Sequence, residues 1–552
     1  MKNWNILGSI SNNQYGVDDI IRVLLKNRGI TKASQKDAFL HPKDPVDLTP
    51  KDVGINATEL KRAFERIQKA MSDKESIVVY TDYDADGITA GAVLWEALYE
   101  LGARVMPYVP HRVDEGYGLS EKGIDRVQKE YDPTLIITVD HGITAVTQVA
   151  YAKKHGIDVV VTDHHVKPKK IPDCPLIHTT DLSGAGVSWF VSHMLLSKNK
   201  EKARDLLALT AIGTIADMVP LVGANRSIVV FGLKALKETK RLGIVALLKD
   251  AGIVQSAVTT SDVSHILSPR INAMGRLEHA LDALRLLCTK SPDRATSLAQ
   301  VLSVTNKDRQ QLTIDTTMHA VGLYKKRDER NIPNILVVSD TSYNQGIIGL
   351  VAGKLAETYY RPAIVIAQGE IISKASVRSI RGFDVISFLR NHSSLLVDVG
   401  GHPMAAGFTI ETKNIRKFTK VVEEAAKKDI KKSLLVRSVS IDMEMPLREV
   451  RPSLYEKIQE FAPFGLGNPE PVFASTQVTV DAIRLIGAKQ NHLKMKLSHP
   501  PVKLPYDAVG FGMGEWYGRM KQGMTVDVAY TIDMNKWNGT TGLQLKVRDF
   551  RV

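Results

Sequence analysis

The sequence predicts an α/β protein: a parallel sheet covered by helices, then a largely helical stretch, a second α/β block and a small C-terminal β-barrel or sandwich. Three observations carry this. From Ile77 to about Leu221, strand-like runs alternate with amphipathic stretches. A second such block opens at "NILVVSD" (334–340). After about residue 436 the pattern changes to short alternating runs broken by Gly, Pro and Asn.

A chain of 552 residues is too long for one core, and its length suggests roughly three or four domains. In the first block, "SIVVY", "LIITV" and "DVVVT" are continuous apolar runs, the pattern of parallel strands buried on both faces. Residues 225–330 read as helix, and "ATSLAQVLSVTNKDRQQLTIDTTMHAVGLYKK" is long enough for a connecting helix. The last block, with "STQVTVDAIRLIG", "HLKMKLS", "TVDVAYTIDM" and "GLQLKVRDFRV", has the even strand spacing of a small barrel. The boundaries expected are near 222, 332 and 436.

Composition narrows the chemistry. No apolar run approaches the ~20 residues of a membrane span, and the opening "MKNWNILGSISNNQYG" lacks a signal-peptide core. A cytoplasmic protein with no membrane partner is expected. Two cysteines, Cys174 and Cys288, exclude a disulfide framework and a thiolate zinc site. A metal here must use oxygen and imidazole ligands. The net charge of +13 favours polyanionic partners. The densest basic run, "KNIRKFTKVVEEAAKKDIKK" from Lys413, has helical spacing and reads as a solvated helix face.

Residues 82–87, "DYDADG", open like an EF-hand loop, which needs a glutamate at its twelfth position and a helix before it. The twelfth residue is Val93, and the preceding run "IVVY" is a strand. Calcium-loop chemistry is therefore excluded. Asp82, Asp84 and Asp86 instead stand where a strand gives way to a helix. Two more strands end alike, with Asp140 and His141 in "LIITVDHG" and Asp163, His164 and His165 in "VVVTDHH". Asp217 follows an apolar helical pattern just before Pro220.

Ligands of open parallel sheets bind outside the carboxyl ends of the strands. One such aspartate is an ordinary helix cap. Several carboxylates converging with two imidazoles require cations. Oxygen-rich sites with imidazole and no thiolate suit Mn²⁺ or Mg²⁺. Two ions about 3.5–4 Å apart and bridged by a carboxylate support phosphoester or phosphoanhydride hydrolysis.

"DYDADG", "VDHG", "TDHH" and "IADMVPL" resemble the metal-site motifs of the DHH phosphoesterase superfamily. "LSPRINAMGRL" (267–277) and "NQGIIGLVAGKL" are similar to segments of its RecJ family of single-strand-specific DNA exonucleases. "VGGHPMAAG" (399–407) resembles the signature of the DHH-associated second domain, and "FAPFGLGNPEPVF" (461–473) the start of an OB-fold domain. The resemblance implies an N-terminal extension at 1–50, a DHH catalytic domain at 51–222, a helical connector at 223–331, a DHH-associated substrate-binding domain at 332–436 and an OB-fold single-strand-binding domain at 437–552. It implies Asp84, Asp86, Asp140, His164 and Asp217 as metal ligands, with Asp140 bridging and Asp82 binding or supporting the metal. Catalysis would rest on Asp84, Asp140, His164 and His165, with His165 facing the scissile phosphate.

Arg378, Ser379, Gly401 and His402 become contacts to a nucleotide phosphate, joined by Asn272 and Arg276. Two departures stand out: Asn344 replaces an expected histidine, and "ASVRS" lacks a usual glycine. Trp516, Tyr517 and Trp537 are candidates for stacking bases in the barrel, with core packing the simpler role. The activity implied is 5′ to 3′ exonucleolytic hydrolysis of single-stranded DNA to 5′-mononucleotides, by a monomer supplied by a single-strand-binding protein or a helicase. The rivals are a DHH-family phosphodiesterase of short oligonucleotides or cyclic dinucleotides, disfavoured by the extra C-terminal block, and an inert binding module, disfavoured by the intact carboxylates.

Overall fold

The computed structural model describes residues 2–10, 15–325, 332–499, 502–537 and 540–552. Residue 331, the expected end of the connector, and the side chain of Trp537 lie outside the described residues. The chain divides into two compact units. One comprises Met1–Ile271, Ala280–Ala299 and Ser438–Val552, and the other Asn272–His279 and Gln300–Arg437.

In the first unit, strand β1 (Asn3–Gly8) precedes the sheet that carries the carboxylates. That sheet contains β2 (Ile77–Thr81), β3 (Val105–Tyr108), β4 (Leu135–Val139), β5 (Asp158–Asp163) and β6 (Leu176–His178), in the order β3-β2-β4-β5-β6. All its neighbours are parallel. Every residue of β2 and β4 is buried, which is why these runs are continuously apolar. The chain leaves β2 for β3 on one side and returns to β4 on the other. The gap between β2 and β4 is therefore the switch point of the sheet, where its crevice opens.

The register aligns the chemistry. Thr81 pairs with Val139, and Val139 with Thr162. The next residues, Asp82, Asp140 and Asp163, thus leave the sheet in one row, with neighbouring strands about 4.8 Å apart.

The second unit holds a sheet of β7 (Leu336–Asp340), β8 (Ala363–Ala367), β9 (Ile372–Arg378), β10 (Asp398–His402) and β11 (Ala405–Glu411), ordered β10-β11-β9-β8-β7. Only β7 and β8 run parallel. Alternate residues of β8 serve two cores: Ile364 and Ile366 pack with Phe408 and Phe418, whereas Ala363 and Val365 pack with Val351 and Leu355. A long helix, Pro292–Lys325, matches the expected connecting helix.

The C-terminal strands are β12 (Ser438–Glu444), β13 (Phe473–Ile486), β14 (His492–His499), β15 (Val502–Gly510), β16 (Thr525–Trp537) and β17 (Thr540–Arg551). The order β13-β14-β15-β17-β16, with β16 returning to β13, closes a five-stranded barrel. Closure removes the exposed edges that so many short strands would otherwise present. An addition that no local pattern announces is the parallel pairing of β1 with β12. Arg226 is 2% exposed and donates to the carbonyls of Phe39, Phe461 and Ala462, at 2.7, 2.9 and 2.9 Å. It ties the segment leading into the barrel to the helix Gly223–Glu238. Among the described residues, no helix is long and apolar enough to cross a membrane.

Candidate metal centre

Asp84 is the N-cap of the helix Ala85–Glu100, and its Oδ1 accepts from the amides of Asp86 and Gly87 at 2.9 and 3.0 Å. This cap orients the carboxylate through Oδ1 alone. Two residues on, Asp86 accepts from the amides of Gly184 and Ala185 at 2.7 and 2.9 Å. Those amides begin the helix Gly184–Leu195, and a helix start favours a carboxylate. Asp140 has φ +67, a left-handed conformation that aspartate tolerates better than most residues. Asp217 follows the helix Lys200–Ala216, which ends there, with Met218 at φ +59.

These elements bring the predicted side chains together. Ligand atoms of Asp82, Asp84 and Asp140 lie within 4.8 Å of one another, as do those of Asp86, His164 and Asp217, and those of Asp140, His164 and His165. His164 Nε2 is 3.0 Å from Asp140 Oδ1, 3.6 Å from Asp217 Oδ2 and 4.0 Å from Asp86 Oδ2. Asp140 Oδ1, His164 Nε2 and Asp217 Oδ2 are buried and, among the described residues, have no hydrogen-bond partner. Three orphaned polar atoms aimed at one point are costly. A divalent cation satisfies them together, so the donor set fits a metal.

The electrostatics agree. Burial, then the charge of Asp84, pushes Asp82 well above the usual carboxylate range. Burial and Asp217 do the same to Asp86, and burial and Asp86 to Asp140. Asp217 is pushed up to about 6 by burial and Asp84. Burial, then the charge of His165, lowers His164 to about 4, keeping its ring neutral and free to ligate.

Asp163 behaves differently. It receives the amides of Ile143, His164 and His165 and, at 2.8 Å, the Nδ1 of His165. Burial alone would raise it, but the His165 hydrogen bond and charge outweigh burial and hold it well below the ordinary range. Its carboxylate is thus spent on orienting His165. Burial lowers His165, and the Asp163 bond and charge more than compensate, to about 9. His165 Nε2 meets the hydroxyl of Tyr117 at 3.3 Å. His141 turns inward, with Nε2 3.1 Å from the Tyr80 carbonyl.

Sequence reasoning did not single out Tyr117 or Arg112, whose guanidinium lies 5.0 Å from the Tyr83 ring centroid. Both sit in an aperiodic loop, where no spacing rule marks them. It also missed Gly184: a Cβ there would stand 2.4 Å from Asp140 Oδ1. The small residue is what allows the helix start to approach the carboxylate.

In the second unit, Arg378 ends β9. Burial lowers its pKa, and no carboxylate pairs with it among the described residues. Ser379 is turned inward and donates to the Phe383 carbonyl at 2.7 Å. Gly401 has φ +139, and a Cβ there would meet Ala405 O at 2.5 Å. His402 is exposed beside it on β10. Arg276 donates to the Gly346 carbonyl at 3.0 Å, and Asn272 lies on the same helix, Ser268–Leu277. Asn344, in the place of the expected histidine, accepts from Gly346 N at 2.7 Å within its own turn. In the barrel, Trp516 packs on the core 5.6 Å from Phe550, whereas Tyr517 is 46% exposed.

Comparison with known proteins extends these features to the whole chain. Residues 76–214 match the DHH family N-terminal domain, 333–428 the DHHA1 domain and 441–549 the RecJ OB domain. The single-stranded-DNA-specific exonuclease RecJ of Bacillus subtilis is 34% identical over 98% of this chain and 69% of its own length. The protein of that name from Haemophilus influenzae is 31% identical over 88% of this chain and 90% of its own. The crystal structure of RecJ in complex with Mn²⁺ from Thermus thermophilus superposes with a TM-score of 0.83 at 27% identity, covering 100% of this chain and 79% of that one. With its domains, its fold and its identity to these relatives all in agreement, the chain belongs to the RecJ family.

Proposed function

We propose that this chain is a metal-dependent exonuclease that hydrolyses single-stranded DNA from the 5′ end and releases 5′-mononucleotides. The observation that carries the reading is the convergence of Asp140 Oδ1, His164 Nε2 and Asp217 Oδ2, buried and unpartnered among the described residues. Relatives bearing the name single-stranded-DNA-specific exonuclease support the substrate. Solved relatives described with Mn²⁺ and with Mg²⁺ support the metal. The ligands proposed are Asp82, Asp84, Asp86, Asp140, His164 and Asp217, with Asp140 shared between two ions.

When bound, such ions activate a water and neutralise the leaving oxygen of a phosphodiester. The chain's own residues do the rest. Asp84 is pinned by amides on Oδ1 and Asp86 by one amide on each oxygen, so both carboxylates are held in place and their remaining lone pairs need no reorganisation. Asp163 fixes the His165 ring through Nδ1, so that Nε2 can face a phosphate oxygen. Arg378, Gly401 and His402, with Asn272 and Arg276, are taken as the nucleotide-phosphate contacts; Ser379, expected among them, gives its one hydroxyl proton to the Phe383 carbonyl and is taken as a structural neighbour of Arg378. The domain limits proposed are 51–222, 223–331, 332–436 and 437–552. The chain is taken to act as a cytoplasmic monomer on strands supplied by a helicase or a single-strand-binding protein.

Digestion of 5′- and 3′-labelled single strands and duplexes with Mn²⁺ or Mg²⁺ tests this. Expected are mononucleotides appearing first from the 5′ label, with duplex resistant. Preferred turnover of a dinucleotide or cyclic dinucleotide over a long strand would replace the reading with a small-substrate phosphodiesterase. Strand binding without any cleavage would make the chain a binding module.

A further inference from the structure

The basic run from Lys413, which by spacing alone reads as a solvated helix face, lies against a cavity. An open hollow of about 480 Å³ in the second unit is lined by Ser339, Gln368, Thr412, Lys413, Arg416 and Lys420, among others. Ser339 lies on β7 and Gln368 follows β8, while the cations come from the helix Ile415–Asp429 and the turn before it.

Among the described residues, no carboxylate lines this hollow. Lys413 pairs with Glu411 at 3.0 Å, but Arg416 and Lys420 are exposed and have no acidic partner among the described residues. Its wall is braced from behind: Thr412 Oγ1 bonds the Gly369 carbonyl and the Ser373 hydroxyl, at 2.9 and 2.8 Å. The hollow is also separate from the glycine-histidine cluster. Arg378 pairs with Ala363 and with Ala405, at the start of β8, and His402 adjoins Ala405. Ser339 pairs with Ile366, near the other end of β8. Three residues of strand separate the two levels by about 10 Å, and β7 and β11 lie on opposite sides of the β9–β8 pair.

We propose that this hollow is a second phosphate-binding site, taking phosphate esters of a nucleotide. The substrate strand, rather than a free mononucleotide, is the ligand its shape favours. Cations at 413, 416 and 420 spread over about 10 Å of helix, a strip suited to successive phosphates rather than a cup for one. Arg416 offers the planar fork that binds phosphate oxygens two at a time. The Ser339 hydroxyl and Gln368 amide opposite offer further hydrogen-bond partners, beside the apolar Val337 and Ile415. The strand assignment rests on the proposed substrate; the anion site does not.

The test uses the full chain in EDTA, so that no cleavage occurs. Acetylation of Lys413 and Lys420 is followed by mass spectrometry with a long thymidine strand, thymidine monophosphate, inorganic pyrophosphate or polyglutamate added, and Lys61 serves as an exposed reference. The strand should protect Lys413 and Lys420 but not Lys61, and Arg416→Glu should remove the protection. In R416A/K420A the strand should bind about tenfold more weakly, with a salt slope smaller by roughly 1.4, and dinucleotide hydrolysis with Mn²⁺ should be unchanged. Protection by the monophosphate or pyrophosphate alone would keep the anion site and assign it to free nucleotide. Protection by polyglutamate but by no phosphate, or no protection at all, would overturn the proposal. Loss of hydrolysis in the unmodified chain would instead fault the metal-centre reading, with the protection pattern unaffected.

Discussion

His164 Nε2 stands 3.0 Å from Asp140 Oδ1, and neither atom has a hydrogen-bond partner among the described residues. Such a pair is held for a third party. Asp140→Asn should therefore lower hydrolysis by on the order of a thousandfold, about 4 kcal/mol, while leaving the metal-free protein as stable as before or more so. Thermal unfolding with EDTA and with Mn²⁺ checks this. The parent should gain stability from the metal by mass action. An undiminished gain in the variant would contradict the shared-ligand role of Asp140.

Asp84 has two duties that substitution can separate. Its Oδ1 caps a helix, so Asp84→Ala should cost about 1 kcal/mol of stability as well as activity. Asp84→Asn keeps a capping oxygen and loses the charge. It should unfold within about 0.5 kcal/mol of the parent and still be inactive. Urea titrations beside a nuclease assay decide the matter.

Glu96 is buried and forms a two-pronged pair with Arg241 at 2.8 and 2.9 Å, joined by Lys202 at 2.7 Å. Burial would raise its pKa, but the Arg241 hydrogen bonds and charge prevail and bring it from 4.5 to about 2. A depressed folded-state value means that the stabilisation is complete above the unfolded value and is lost as pH falls through the folded one. Roughly 3 kcal/mol should disappear between about pH 4.5 and pH 2. Glu96→Gln should be destabilised at pH 7 and show a flatter acid limb. Equal acid sensitivity of variant and parent would refute the assignment.

Arg378 and Ser379 are neighbours with opposite expectations. Arg378, without a carboxylate partner among the described residues, should serve substrate: Arg378→Ala should raise KM about tenfold or more. Ser379 gives its hydroxyl to the Phe383 carbonyl. Ser379→Ala should cost about 1 kcal/mol of stability and leave KM unchanged. Steady-state kinetics and chemical denaturation of both variants distinguish the roles.

The row of Asp82, Asp140 and Asp163 was legible in the sequence because parallel strands announce themselves as apolar runs and their ends share a level. The division of labour within the row was not. Whether an aspartate faces a cation or three backbone amides depends on where the next loop places its N–H groups, and nothing in "TDHH" distinguishes Asp163 from Asp140. Capping by Asp84 follows a common rule for aspartates before helices. The approach of Gly184 to Asp140 depends on residues distant in sequence. The same holds for Arg226, whose partners lie near residues 39 and 461.

Strand β1 pairs in parallel with β12, so Asn3 lies opposite Ser438. During synthesis the first strand therefore emerges long before its mate, and at ribosomal speeds the wait is tens of seconds. For that interval its amides and carbonyls are an open template for other chains. A truncated product that stops short of Ser438 would keep the template permanently, and we expect such fragments to aggregate from their N-termini even when the sheet bearing Asp140 has formed.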